Sequence, residues 1–288
     1  MAEDVPTRWN RPIFVASMGR SGSTLLQRVL NVHPEITIWG EHGGFLTGLL
    51  ESYESIASPA TAENVTDGYK SRGEVVGELA NKAAFRPWVS PFTPTEVQVR
   101  LADLTRELFT NELDESIRWG FKEIRYSDRE LNTLLAMFPE AHLVVLTRNF
   151  RGFAQSRFFA FGNTNFDFGS EEGREAVKTQ LAKMSRRWIR RHRGLVKLRD
   201  ENITRSSLIG YNDLAIGSSR PRDLFTELGE PPPSQEAIDS VLGAVSGSSF
   251  AHNSTARENR RILGELLDES RIDWEEIGTL SNQLGCHE

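Results

Sequence analysis

Gly19-Arg20-Ser21-Gly22-Ser23-Thr24 sets two glycines, an arginine and three hydroxyls between the apolar run Ile13–Ser17 and Leu25, Leu26, Val29 and Leu30, which recur at the spacing of one helix face. A turn of this kind, opening a helix, aims backbone N–H groups at a common centre, and the helix dipole adds about half a positive charge there. The chemistry it suits is the binding of phosphate or sulfate. A nucleotide-hydrolysing loop reads G-x-x-x-x-G-K-[ST], with its Ser/Thr on magnesium and an acid at the end of another strand. Here the loop is shorter and lacks the lysine, and the strand-like run His142–Arg148, HLVVLTR, ends in an arginine. A glycine turn that only lets strand and helix pack closely is the competing reading of the loop taken alone.

Arg148 and, eight residues on, Ser156 form a second candidate element, in which an arginine and a hydroxyl hold another phosphate. Two anion sites at two strand ends suggest a ligand with two separated phosphate groups. An acceptor that attacks such a ligand must lose a proton, so a carboxylate or histidine is expected near the loop. Glu41 is the first candidate and His42 the second, both in the turn Gly40-Glu41-His42-Gly43-Gly44 that follows the short apolar run Ile36–Trp39.

These residues need strands to carry them. The patterning predicts strands at Ile13–Ser17, Ile36–Trp39, within IRWGFKEIRY (117–126), at His142–Arg148 and at Ser207–Tyr211. Helical patterns lie between them: after the loop, over Glu96–Leu113, over ELNTLLAMF (130–138), after Arg148, and from Glu171 to about Leu198. A helix-like stretch, EVVGELANKAAF, precedes the proline-punctuated RPWVSPFTPT, and a largely polar C-terminal third follows the EPPP break. Strands separated by helices predict an α/β fold, a P-loop-like parallel sheet flanked by helices, with ligands at the carboxyl ends of the strands. One domain over 1–288 is expected, with helical insertions around 50–115 and 160–200 shaping the acceptor site.

The formal charge of −6 argues against general attraction to nucleic acid or anionic membrane, and no stretch of about eighteen apolar residues occurs. The single cysteine, Cys286, has no disulfide partner, and the six histidines show no ligand spacing, so no metal centre is expected. The N-terminus lacks a secretory pattern, which makes a cytoplasmic location the expectation. The oligomeric state is not legible.

At this point the sequence resembles the sulfotransferases that use 3'-phosphoadenosine 5'-phosphosulfate (PAPS) and release adenosine 3',5'-bisphosphate (PAP). That family carries a [PG]-[RK]-S-G-[ST]-[ST] loop for the 5'-phosphosulfate, matched by Gly19 to Thr24, and an arginine followed eight residues later by a serine for the 3'-phosphate, matched by Arg148 and Ser156. NVHPEI, WGFKEIRY and LLAMFPEAHLVVLTR continue the resemblance through most of the first 215 residues, in the manner of bacterial, carbohydrate and tyrosylprotein members. The resemblance implies the sulfotransferase fold, with Arg20, Ser21, Gly22, Ser23 and Thr24 on the phosphosulfate. It implies Lys122 against the same group, Tyr211 beside the adenine, Arg257 joining the 3'-phosphate site, and Glu41 as base. Glu123 is an alternative base or a partner for Lys122 or Arg125.

The implied activity is sulfuryl transfer to a hydroxyl of a carbohydrate, glycolipid or small natural product, an amine acceptor also being compatible. The rivals are an ATP- and magnesium-dependent small-molecule kinase and a non-catalytic PAP-binding module. Phe166 and Phe168, in the segment after the second anion element, are the candidate acceptor contacts, while Phe158 and Phe159 read as core. The densest basic run, RRWIRRHRGLVKLR at Arg186–Arg199, reads as a solvated helix face paired with nearby acids.

Overall fold

The computed structural model describes residues 7–58, 77, 80, 92–159, 166–246 and 254–286. Five strands, β1 (Ile13–Ser17), β2 (Ile36–Trp39), β3 (Arg118–Glu123), β4 (His142–Thr147) and β5 (Ser206–Gly210), form one sheet in the order β2-β3-β1-β4-β5. Every pairing is parallel. The three central strands are buried almost throughout, which is why they read as apolar runs without alternation. Gly120 lets β3 approach β1: a Cβ there would lie 2.0 Å from the Ile13 carbonyl oxygen.

Helices cover both faces. Against Ile13, Val15, Ile38, Val144 and Leu146 pack α1 (Ser23–Leu30), α7 (Arg220–Glu227) and α8 (Gln235–Ser246), through Leu26, Val29, Leu30, Leu224, Phe225, Ile238 and Leu242. The other face, with Phe14, Trp119, Phe121, Leu143 and Val145, carries the larger core. It is covered by α2 (Thr47–Ala57), α3 (Pro94–Thr110), α4 (Asp128–Met137), α5 (Phe150–Phe158), α6 (Glu171–Glu201), α9 (Ser254–Glu269) and α10 (Trp274–Gln283).

Side-chain caps fix where several of these helices begin. Thr93 and Ser127 form capping boxes with Glu96 and Glu130, and Asn149 and Ser170 accept from the N–H groups of Gly152 and Gly173. The cap at Thr93, followed by Pro94, starts α3 two residues before the expected Glu96. The stretch read as EVVGELANKAAF lies outside the described residues apart from 77 and 80, both helical. The C-terminal third is less polar in effect than in composition. Its helices α9 and α10 put Ile262, Leu263, Leu266, Leu267, Ile277 and Leu280 into the larger core.

The strand order places β1 between two strands reached in opposite directions along the sheet. The loop after β1 and the residue after β4 therefore flank the crevice where the order reverses, the usual ligand position in open parallel sheets. Among the described residues no helix is long and apolar enough to cross a membrane, and no group of three or more His, Cys, Asp or Glu side chains could hold a metal ion.

Candidate active site

Between β1 and α1 the chain turns left-handed twice, at Arg20 (φ 71°) and Gly22 (φ 93°). Arg20 has a Cβ and adopts this region at a cost, a feature that clusters at ligand sites. Gly22 is the N-cap of α1 and offers no side-chain hydrogen bond to the first turn, which leaves that end of the helix to an anion. Ser21 and Ser23 are buried in the same turn.

The second element closes over this loop. Arg148 Nη1 donates to the Arg20 carbonyl at 3.1 Å, and its guanidinium lies 3.9 Å from the centroid of the Tyr211 ring. That ring in turn covers Gly22, whose hypothetical Cβ would lie 2.5 Å from Tyr211 Cδ2. Arg20 Nε donates to Ser156 Oγ at 3.2 Å. Arg20, Gly22, Arg148, Ser156 and Tyr211, drawn from four segments of the sequence, thus converge. Burial lowers the Arg148 guanidinium from its ordinary value, with the adjacent Arg20 adding to the effect.

Lys122 rises at the end of β3 on the α1 side of the sheet. Its buried Nζ donates to Thr24 Oγ1 at 3.2 Å and to Glu41 Oε1 at 2.6 Å. The other carboxylate oxygen of Glu41 accepts from Arg125 at 3.1 Å, so Glu41 bridges two cations beside the loop while its side chain stays 29% exposed.

Glu123 faces the opposite side. It accepts from Arg125 at 2.9 Å and from the Gly44 N–H at 2.9 Å. Burial pushes its carboxyl up, but the hydrogen bonds from Arg125 and Gly44 outweigh this and hold it below the ordinary value. Glu123 is therefore committed as the anchor of Arg125 and of the Gly43-Gly44 turn.

His42 lies 2.5 Å from the Tyr126 hydroxyl through Nε2, with its ring edge-on to Phe45, Phe109 and Phe121. Burial lowers its pKa, an effect that the nearby charge of Glu123 offsets only in part. Among the candidate bases, Glu41 is the one joined to Lys122 and, through it, to Thr24.

The remaining candidates stand apart. Phe168 is only 2% exposed, stacks on Phe159 and meets Phe158 edge-on, so contact with an acceptor there requires these rings to part. Phe166 is half-buried against Phe158. Residues 160–165 of the same segment lie outside the described residues. Arg257 is exposed on the first turn of α9, and among the described residues no contact joins it to Arg148 or Ser156.

The basic run corrects the sequence reading in part. Arg186, Arg187, Arg190, Arg193 and Lys197 are exposed as expected, but Arg191 and His192 turn inward. Arg191 donates to the Ser17 carbonyl from Nε and Nη2, at 3.3 and 3.0 Å, and to the Tyr126 carbonyl from Nη1 at 2.5 Å. A signal was present. The buried positions of α6 recur at steps of three and four and run through the basic stretch at 188, 192 and 195, with the half-buried Arg191 beside His192.

The family model described as "Sulfotransferase family" matches residues 12–215. A search of curated proteins gave no match. Among solved structures, the chain is similar to the sulfotransferase domain from the Synechococcus PCC 7002 olefin synthase, at 18% identity over 100% of this chain and 98% of that one, with a TM-score of 0.53. It is also similar to a sulfotransferase from Alicyclobacillus acidocaldarius, at 13% identity over 96% and 97% of the two chains, with a TM-score of 0.52. At these identities the likeness is one of fold.

Proposed function

This chain belongs to the sulfotransferase family, and from that premise we propose that it transfers a sulfuryl group from PAPS to a hydroxyl of a carbohydrate, glycolipid or small natural product. The observation that carries the reading is the chain of contacts Thr24–Lys122–Glu41, which joins the anion cradle to a carboxylate through one buried cation.

The donor set fits a bis-anionic nucleotide. Arg20, Ser21, Ser23, Thr24 and Lys122 cluster at the start of α1, and Arg148 and Ser156 adjoin them, each in contact with Arg20, so the two elements together offer donors to a ligand with two anionic groups. Tyr211, stacked on Arg148, offers an apolar face for the base. When bound, PAPS supplies the sulfuryl group and PAP as the leaving group. Glu41 takes the proton of the attacking hydroxyl, a contribution of about a hundred- to ten-thousandfold for a positioned base. Lys122 would neutralise charge developing on the leaving group of bound PAPS, with Glu41 held beside it to take the acceptor proton. Arg125, held by Glu123, keeps the second oxygen of Glu41 in place. Catalysis of this kind rests on positioning and on preorganised charge.

The test is transfer of labelled sulfate from PAPS to a panel of hydroxyl acceptors by wild type and Glu41→Gln. The reading expects transfer to at least one acceptor and a loss of a hundredfold or more in the variant, with PAP binding retained. Equal rates in the two proteins would remove Glu41 from the chemistry.

A further inference from the structure

The cradle follows β1, Lys122 lies at the end of β3 and Arg148 follows β4, so the site works only if three separate strand ends keep their spacing. A single turn of α6 touches all three. The Trp188 indole N–H donates to the Arg148 carbonyl at 3.1 Å. One turn on, Arg191 grips the Ser17 carbonyl, where β1 enters the cradle, and the Tyr126 carbonyl, just past Lys122 and Arg125.

These contacts go to backbone carbonyls, so they set where the strand ends lie whatever side chains those ends carry. Arg191 lies half-buried at the edge of the inward face of α6, beside the buried Trp188 and His192. Burying a guanidinium carries a desolvation cost, and burial lowers its pKa to about 10. Its fork is what an apolar residue lacks: one planar group reaches two carbonyls that belong to different loops, which a lysine ammonium does less well.

We propose that the Trp188–Arg191 turn is a positioning element of the active site, holding the cradle, the Lys122 loop and Arg148 in register. Its relevance to turnover rests on the sulfuryl-transfer reading; its effect on the ligand-free loop does not.

Arg191→Lys and Trp188→Phe, both conservative in bulk, separate the two claims in the full chain. In the ligand-free protein, amide hydrogen exchange of residues 17–24 should quicken about tenfold in Arg191→Lys while β4 exchanges as in wild type. In calorimetry with PAP, Trp188→Phe should weaken binding about tenfold in the wild-type background and not at all in an Arg148→Ala background, because it acts through Arg148. A purely structural residue would lower the melting temperature without this loop-selective exchange or this non-additivity. Cradle exchange equal to wild type in Arg191→Lys overturns the proposal, even where the variant melts earlier. Wild type that fails to bind PAP while the exchange difference is present overturns the sulfuryl-transfer reading and leaves the clamp standing.

Discussion

Gly22→Ala is the substitution whose consequences follow most closely from the geometry. At φ 93° a Cβ costs an L-residue about 1–2 kcal/mol. The new atom would also lie 2.5 Å from Cδ2 and 2.9 Å from Cε2 of Tyr211. A ring at the end of a flexible side chain can swing away, so the clash is relieved rather than endured. Swinging it removes the ring from beneath the Arg148 guanidinium, 3.9 Å away, and forfeits a cation–π contact of about 0.5–2 kcal/mol. The two contributions together come to about 1.5–4 kcal/mol, which for a chain of this size corresponds to a fall in melting temperature of about 2–7 °C. Because the displaced ring and Arg148 form one wall of the crevice, PAP affinity should fall by tenfold or more. Thermal unfolding and calorimetry read the two effects separately. In a Tyr211→Ala background the steric part vanishes, and Gly22→Ala should then cost only the left-handed backbone penalty. A Gly22→Ala protein that melts within about 1 °C of wild type and binds PAP equally well would refute the reasoning.

Lys122→Met removes the cation between Thr24 and Glu41 and should lower turnover by about a hundred- to thousandfold while changing PAP affinity far less, measurable by steady-state kinetics and calorimetry on one preparation. Arg118 is buried at the far end of β3, donating to the Arg11 and Leu228 carbonyls and pairing with Glu230 at 3.3 Å. Arg118→Met should therefore destabilise by about 3–5 kcal/mol in denaturant titration and leave the PAP affinity of the folded protein unchanged. Burial lowers His142 to about 4 and His192 to about 3. With folded values below the unfolded one, the unfolded chain binds protons first as pH falls. The stability from these neutral rings is complete above about pH 6.5 and is lost on acidification toward pH 4, at about 1.4 kcal/mol per unit for each histidine. Denaturation midpoints measured from pH 7 to 4.5 should show this slope, and His192→Phe should flatten it.

The sheet was legible because its buried parallel strands are short apolar runs punctuated by glycine and proline, and because the loop after the first strand carries an unusual density of hydroxyls. Arg148 and Ser156 stood out by their spacing together with the family resemblance, and each contacts Arg20. What sequence hid were contacts made by the backbone or across the sheet. Glu123 reads as an alternative base or a partner for Lys122 or Arg125, and its hold on the glycine turn depends on the Gly44 N–H, 79 positions away. Arg191 is lost in a basic run, and only the buried spacing that passes through its neighbour His192 marks that turn as facing inward. The C-terminal helices escaped notice because their apolar positions are diluted by charge, although those positions close one face of the core. Phe168 illustrates the converse: its place after the second anion element made it a candidate acceptor contact, and its ring packs in the core.

The most direct test of the central claim is calorimetric binding of adenosine 3',5'-bisphosphate, compared with ATP and magnesium, to wild type and Arg148→Ala. The account predicts binding of the bisphosphate without metal, in preference to ATP, and binding in the variant that is much weaker yet still measurable. Magnesium-dependent ATP binding with no affinity for the bisphosphate would contradict it.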